Sequence, residues 1–309
     1  MVMEHKPVLL DEAIDGLVQR TGGVFIDGTF GRGGHSGEIL QRLSASGRLL
    51  AIDKDVDAMN SVKAKEFSLD SRFDLKHESF ASMRDLAEQQ GWLGRVDGIL
   101  LDLGVSSPQL DVAERGFSFM KDGPLDMRMD VSRGESAAEW LSYVGETELV
   151  QVLRDYGEER FARKIAAKII SERTEAIIDT TSKLASIISE VVKSREPGKH
   201  PATRSFQAIR IKINNELGDL ESALSQSLEI LGAGGRLVVI SFHSLEDRIV
   251  KRFMRKAAKG DVAPRKLPLP LDAKKPTIKL VSKALKASVA ELKRNVRSRS
   301  AVLRIAEKL

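Results

Sequence analysis

The sequence predicts an α/β fold, a doubly wound parallel sheet with an inserted helical domain, from three observations. Short apolar runs alternate with helix-period segments as far as Leu101, the βαβ rhythm of a parallel sheet covered by helices on both faces. Between residues 108 and 202 the rhythm gives way to long helical patterns, and strand-like runs resume after Gly235. The first strand is followed at once by DGTFGRGGHS, Asp27 to Ser36, which packs four glycines into ten positions.

The first part of the sheet, residues 1–107, reads as strand Val24–Ile26, helix Ser36–Leu43, strand Arg48–Ile52, helix Val56–Lys65, strand Phe73–Lys76, helix Met83–Gln90 and strand Gly98–Leu101. The inserted stretch, 108–202, opens with the turn-rich RGFSFMKDGPLDMRMDVSRGES. Ser136 and Glu139 then form a capping box, and apolar residues recur at helical spacing over Thr147–Arg173 and Ser182–Lys193. The breakers Glu196 to Pro201 close it. The second part, 203–309, begins with one long helix carrying Phe206, Ile209, Ile213, Leu217, Leu220, Leu224 and Leu228, ended by Gly232 to Gly235. Next come strand Arg236–Ile240, a helix capped by Ser244 with Asp247, and two strands, Thr277–Val281 and Ser300–Ile305. With no full crossover helix between them, those two suggest an antiparallel hairpin at one sheet edge. Pro264 to Pro276 reads as an exposed basic loop.

Composition narrows the function. A length of 309 residues suggests more than one domain, and 42% hydrophobic against 30% charged residues is ordinary for a globular chain. No apolar run approaches the roughly 18 residues that cross a bilayer, so a cytoplasmic protein with no membrane partner is expected. The absence of cysteine excludes disulfides, thiolate metal sites and cysteine nucleophiles, and five scattered histidines predict no metal site. The net charge of +5 is unevenly spread: residues 251–309 hold 18 Lys and Arg against 4 Asp and Glu, whereas the first 250 hold 31 against 40. A basic segment that contains strand-like runs suggests a polyanionic partner such as nucleic acid, with a solubilising surface as the alternative.

Glycines after a first strand let backbone approach a ligand closely. A P-loop requires Lys after its last glycine, and here Gly33 is followed by Gly34 and His35. A dinucleotide fingerprint has Ser36 in place of its third glycine. S-adenosylmethionine, which has no phosphate, is the remaining candidate. Asp53 ends the second strand, where a carboxylate can accept both ribose hydroxyls or be a solvated turn residue. Phe80 could lie against adenine or in the core. Asp27, Asp53, Phe80, Asp102 and His243 all follow strands, and so are expected to converge in the crevice at one sheet edge.

Seven ordered stretches, HKPVLL, DGTFGRGGHS, DLGVSSPQLD, RGFSF with GPLDMRM, HPATRSFQAIRIKINNEL, GGRLVVISFHSLEDR and RSAVLR, together resemble the bacterial 16S ribosomal RNA cytidine-N4 methyltransferase family, also called RsmH or MraW. The resemblance runs from His5 to Arg304. It implies a Rossmann-type class I methyltransferase sheet, an inserted substrate-recognition domain, S-adenosyl-L-methionine as methyl donor, and a cytidine near the decoding site of 16S rRNA in the small ribosomal subunit as acceptor. The donor contacts it implies are Gly33, Gly34, His35, Asp53, Phe80, Asp102 and Gln109. The [DN]-P-P-[YF] motif of many amino-methyltransferases is absent, Asp102 being followed by Leu103, Gly104 and Val105.

Cytosine's exocyclic nitrogen is a poor nucleophile, and an acceptor bonded to one N–H raises its electron density. Asp102 is the candidate catalytic acceptor, with donor binding as its alternative role. Phe117, Phe119 and Phe242 are candidate stacking surfaces for a displaced base or core residues. Ser244 reads as a cap, while His243 could touch substrate or stabilise its turn. Arg204, Gln207 and Asn214 form a polar stripe expected to face solvent, with contact to RNA phosphate and sugar as the alternative. VKRFMRKAAK and LKRNVRSRS are the better candidates for phosphate contacts. A nicotinamide-dependent oxidoreductase and a non-catalytic RNA-binding assembly factor are the competing functions. Neither a monomer nor a homodimer is preferred.

Overall fold

The computed structural model describes residues 7–193, 200–260 and 275–309; the breakers Glu196 to Lys199 and the basic loop up to Lys274 lie outside the described residues. The chain divides into two compact units, Met1–Gly104 with Leu217–Leu309, and Val105–Glu216. The first unit begins α1 (Leu10–Leu17), β1 (Val24–Asp27), α2 (Gly34–Arg42), β2 (Arg48–Asp53), α3 (Val56–Met59), α4 (Val62–Phe67), β3 (Phe73–His77), α5 (Met83–Gln89) and β4 (Val96–Asp102). The second holds α6 (Ser107–Asp111), α7 (Ala137–Tyr143), α8 (Glu146–Asp155), α9 (Ala162–Glu175), α10 (Thr181–Val191) and α11 (Thr203–Asn214). The first unit then resumes within α12 (Glu216–Ile230) and continues through β5 (Leu231–Ser241), α13 (Ser244–Lys259), β6 (Ile278–Leu280), β7 (Leu285–Lys286), α14 (Val289–Arg294) and β8 (Val302–Lys308).

The sheet order is β3-β2-β1-β4-β5-β8-β6, with β7 also on β8. The first five strands are mutually parallel; β8 runs antiparallel to β5, β6 and β7. Strands β1, β2, β4 and β5 are built around apolar runs because each face of the sheet is covered there, and alternate residues serve opposite cores. Phe25, Leu49, Ala51, Leu100, Val238 and Ile240 pack with Ile14 and Leu17 of α1 and Ile39 of α2. Their neighbours Ile26, Leu50, Ile52, Ile99, Leu101 and Val239 pack with Met83 of α5, Leu224 of α12 and Val250 of α13. Truncating a fully buried Phe25 to Ala would cost about 3–5 kcal/mol. The order reverses about β1, which places a topological switch point between β1 and β4 and a crevice beyond their C-terminal ends.

The antiparallel pairing expected of the two final strands at one sheet edge is present, with β6 outermost, and β8 also pairs β5, its register running Arg236 to Glu307 through Ser241 to Val302. Several other expected elements come out differently. The helix expected over Val56–Lys65 is two short helices, because Ser61 caps the second by accepting the Ala64 N–H at 3.2 Å. The pattern over Thr147–Arg173 breaks at Gly157, where a Cβ would lie 2.7 Å from the carbonyl oxygens of Leu153 and Arg204. The long helix over Phe206–Leu228 breaks at Asn215, whose φ of 51° is a conformation Asn tolerates better than most residues. One apolar stripe therefore serves two cores. Phe206 and Ile209 join the core of the second unit, whereas Leu220 and Leu224 join the sheet. Helix α11, expected with the sheet from residue 203 onward, packs instead on α7 and α8. Strand β5 starts earlier than expected, since Gly232 to Gly235 bulge between the pairs Val96–Leu231 and Gly98–Arg236.

The core of the second unit is formed by Trp140, Leu149, Leu153, Ile165, Ile169, Leu184 and Ile188 among others. The predicted capping box is present: Ser136 N–H donates to Glu139 Oε2 at 2.7 Å, and Glu139 N–H donates to Ser136 Oγ at 3.2 Å.

Candidate functional site

The ends of β1, β2 and β4 bring three carboxyl groups to the switch point. Asp27, fully buried, accepts Ser36 Oγ–H at 2.6 Å and Thr29 N–H at 3.0 Å. It fastens the glycine turn to the sheet, and burial raises its carboxyl above the ordinary range. Asp53 accepts the Gly31 N–H at 2.6 Å on Oδ2 and the Asp55 N–H at 2.8 Å on Oδ1. Each of its oxygens keeps a second lone pair for a ligand. Burial pushes this carboxyl up to about 6, opposed by those two backbone bonds.

Asp102 donates its backbone N–H to Thr29 Oγ1 at 2.7 Å, tying β4 to the turn. Its side chain is less satisfied: Oδ2 lies 3.5 Å from His35 Nδ1, and Oδ1 is buried without a hydrogen-bond partner among the described residues. Desolvation, followed by the charges of Asp27 and Glu246, holds Asp102 well above the usual carboxylate range. His35, on the first turn of α2, is buried and its Nε2 is likewise without a partner. Burial lowers the imidazole to about 4, against a bond to the Val8 carbonyl that raises it, so His35 is neutral near pH 7.

The glycine turn is crowded mostly by the protein itself. A Cβ on Gly28 would lie 2.6 Å from Leu101 Cδ2 and 3.0 Å from Phe80 Cβ, one on Gly33 would meet the Phe30 ring at 2.9 Å, and one on Gly34 would collide with Pro7. Only Gly31, at φ 54°, opens onto space, its nearest atom 4.0 Å away. Three glycines of the turn therefore serve close packing, and one leaves backbone bare. Phe80, half-buried beside Gly28, follows β3 in a short 3₁₀ turn capped by Ser79.

His243 is the N-cap of α13, one residue earlier than the expected cap at Ser244. Its Nδ1 accepts the Glu246 N–H at 3.5 Å, and Glu246 Oε2 accepts the N–H groups of Phe242 at 2.7 Å and His243 at 3.2 Å. Glu246 is 2% exposed and escaped sequence reasoning, which paired Ser244 with Asp247; Asp247 instead binds Arg304 at 2.7 Å. Asp219 also escaped it. Its carboxylate meets Lys54 Nζ at 2.6 Å and accepts Ser79 Oγ–H at 2.7 Å, fixing the chain just beyond β2 and β3. No local pattern marks Asp219, because both partners lie far away in sequence.

Gln109 belongs to the second unit, where its side chain accepts the Ser106 N–H at 2.9 Å and caps α6. Of the candidate stacking rings there, Phe117 is buried beneath the Arg115 guanidinium, and Phe119 lies 4.5 Å from the His200 ring and 4.9 Å from Phe206. Phe242, in the first unit, packs against the core that holds α1. The polar stripe on α11 is not a solvent face. Arg204 donates to the Glu158 carbonyl at 2.8 Å, Gln207 to that of Tyr156 at 3.2 Å, and buried Asn214 donates to that of Met127 at 2.8 Å while accepting the Met129 N–H at 2.7 Å. These side chains satisfy loop backbone that would otherwise lack partners.

The crevice is thus acidic, with a spare lone pair on each Asp53 oxygen, an acceptor at Asp102 Oδ1 that has no partner among the described residues, and a neutral imidazole nitrogen beside them. Such a field opposes a pyrophosphate and favours a cationic nucleoside that offers hydroxyl and ammonium donors. S-adenosylmethionine has those groups and no phosphate, so the residues fit it. Fold and crevice define a Rossmann-type, nucleoside-dependent transferase.

The sequence profile described as the MraW methylase family matches residues 2–309. A protein of Thioalkalivibrio sulfidiphilus named ribosomal RNA small subunit methyltransferase H is 55% identical over 306 residues, covering 99% of this chain and 97% of that one. One of Burkholderia vietnamiensis with the same name is 55% identical over 312 residues, covering 99% and 98%. The chain belongs to the MraW methylase family, and is a methyltransferase dependent on S-adenosylmethionine. No helix among the described residues is long and apolar enough to cross a membrane.

Proposed function

We propose that this enzyme methylates the exocyclic N4 of a cytidine near the decoding site of 16S rRNA, acting on the small ribosomal subunit in the bacterial cytoplasm. The observation that carries the chemistry is the buried, unsatisfied Oδ1 of Asp102 at the mouth of the switch point. Gly33, Gly34, His35, Asp53, Phe80 and Asp102 hold the donor, and the second unit helps to recognise the substrate. When bound, S-adenosylmethionine supplies an electrophilic methyl group on a sulfonium.

Asp53 accepts the ribose hydroxyls while the Gly31 and Asp55 N–H groups keep its carboxylate oriented. Asp102 accepts one N–H of the cytosine amine, which localises the nitrogen lone pair and aligns it for attack. Asp102 would take up the proton that the amine sheds on methylation and would pass it to water. Burial raises the proton affinity of Asp102, which favours that transfer. His35, neutral, stabilises the opposite carboxylate oxygen without adding a charge that would lower its basicity.

Phosphates are drawn to the cationic face of α13. Arg252, Arg255, Lys256 and Lys259 are exposed, while Leu245, Val250 and Met254 are buried on the opposite face. Lys293, Arg294, Arg297 and Arg299 add a second exposed basic stretch. Labelled methyl transfer from S-adenosylmethionine to naked 16S rRNA, 30S particles and 70S ribosomes, with mass-spectrometric mapping of the product, tests the reading. A methyl group on cytidine N4 is expected. Binding of RNA with no transfer to any of the three would identify an assembly factor instead.

A further inference from the structure

The crevice has a support that lies far from it in sequence. Leu9, the residue before α1, adopts φ 51° although it is a branched-chain residue and almost fully buried, so something must hold it in a conformation it does not favour. Its N–H donates to Glu291 Oε1 at 2.8 Å. Glu291 lies in α14, where its own N–H is capped by Ser288 Oγ at 3.2 Å. The two residues before Leu9 touch the donor turn. Pro7 lies so close to Gly34 that a Cβ there would collide with its ring, and the Val8 carbonyl bonds the His35 imidazole. His35 in turn lies 3.5 Å from Asp102. A single chain of contacts therefore runs from Glu291 through Leu9 and Val8 to His35 and Asp102.

We propose that Glu291 is a positioning residue of the donor site, which fastens the strap Pro7–Leu9 onto the glycine turn and so fixes Gly34 and His35 for S-adenosylmethionine. The inference rests on the reading of this crevice as the donor site. The requirement on Glu291 is geometric: a carbonyl-type oxygen must reach the Leu9 N–H. Gln satisfies that requirement without charge. Asp keeps the charge but is one methylene too short, and Ala removes the acceptor. With the acceptor gone, the Leu9 N–H is left without its partner, the strap loosens, and water gains access to His35.

Calorimetric titration of S-adenosylmethionine into the wild-type chain and into Glu291→Gln, Glu291→Asp and Glu291→Ala is the test, with thermal melts and an NMR titration of the His35 ring on each. Ala and Asp are expected to weaken donor affinity by about five-fold or more, the equivalent of one ordinary hydrogen bond, and to raise the His35 pKa from about 4. Gln is expected to stay close to wild type in both. The KM for donor should rise in Ala and Asp by a larger factor than kcat at saturating donor falls, with the KM for RNA unchanged. Should Ala fail to fold, the contrast between Gln and Asp still decides. Equal donor affinity across wild type, Gln and Asp would overturn the proposal, as would a Gln variant impaired as badly as Asp. No heat of donor binding to the wild type would overturn the donor-site reading itself.

Discussion

Replacing Asp53 by Asn should separate stability from donor binding, and the structure sets the size of both effects. Folding moves this carboxyl from its usual 3.8 to about 6, chiefly through burial. Ionised Asp53 therefore destabilises the donor-free fold by about 3 kcal/mol at pH 7, taking 1.36 kcal/mol for each unit. The folded chain holds the proton more tightly than the unfolded chain does, so the penalty is absent below about pH 4 and complete above about pH 6. Asn carries no charge, but it accepts only one of the two N–H groups that Asp53 now accepts, from Gly31 and Asp55. That returns about 1–2 kcal/mol of cost. The net gain is about 1–2 kcal/mol, or a melting temperature higher by roughly 2–8 °C for a unit of this size. Donor affinity should fall by about a hundred-fold or more, because charged acceptors to the ribose hydroxyls are lost. Thermal melts between pH 4 and pH 8, run beside calorimetry with S-adenosylmethionine, measure both quantities. An Asn variant that melts below wild type at pH 7, or one that binds the donor as tightly, would refute the assignment of Asp53 as a ribose acceptor held under strain.

Three further outcomes follow from the same geometry. Asp102→Asn should lower methyl transfer by at least about a hundred-fold while the donor Kd changes far less, as single-turnover assays with separately measured binding will show; normal turnover would remove Asp102 from the chemistry. Substituting Arg252, Arg255 and Lys259 together by Gln should weaken rRNA binding equally for all sequences and reduce the slope of log K against log salt by about one for each phosphate no longer neutralised, with donor affinity intact; an unchanged slope in filter binding would move the RNA elsewhere. Asn215→Val should cost about 1–2 kcal/mol, since a β-branched residue resists the left-handed conformation at the α11–α12 break, whereas Asn215→Gly should be nearly neutral; denaturant melts that rank the two alike would contradict this.

Local patterns carry most of the sheet. The apolar runs that become β1, β2, β4 and β5 are legible because strands buried on both faces have no polar alternation to obscure them. Strand-end carboxylates can be placed because a parallel order sends Asp27, Asp53 and Asp102 to one edge, and the structure brings them there beside Phe80 and His243. What is not legible depends on partners distant along the chain. Asn215 interrupts a stripe whose period continues without a break, since the residues on either side pack into different cores. Asp219 and Glu291 act through Lys54 and Leu9, and no spacing in the sequence announces those pairings; Glu246 is different, since it lies three residues after its cap His243, a local spacing hidden only because His is an uncommon N-cap. The glycines of the turn suggest, from sequence, bare backbone for a ligand. Gly28, Gly33 and Gly34 are small because Leu101, Phe30 and Pro7 occupy the space beside them, which only the packed structure reveals.

The insertion of β8 between β5 and β6 makes the end of the sheet all-or-none. Among the described residues, β6 and β7 pair with nothing but β8, so neither can dock before it arrives. A chain cut before Val302 would forfeit three strands at once and leave the apolar flank of β5 uncovered, with its backbone N–H and C=O groups free to recruit another molecule. Such a fragment should accumulate as aggregate rather than as a smaller folded enzyme.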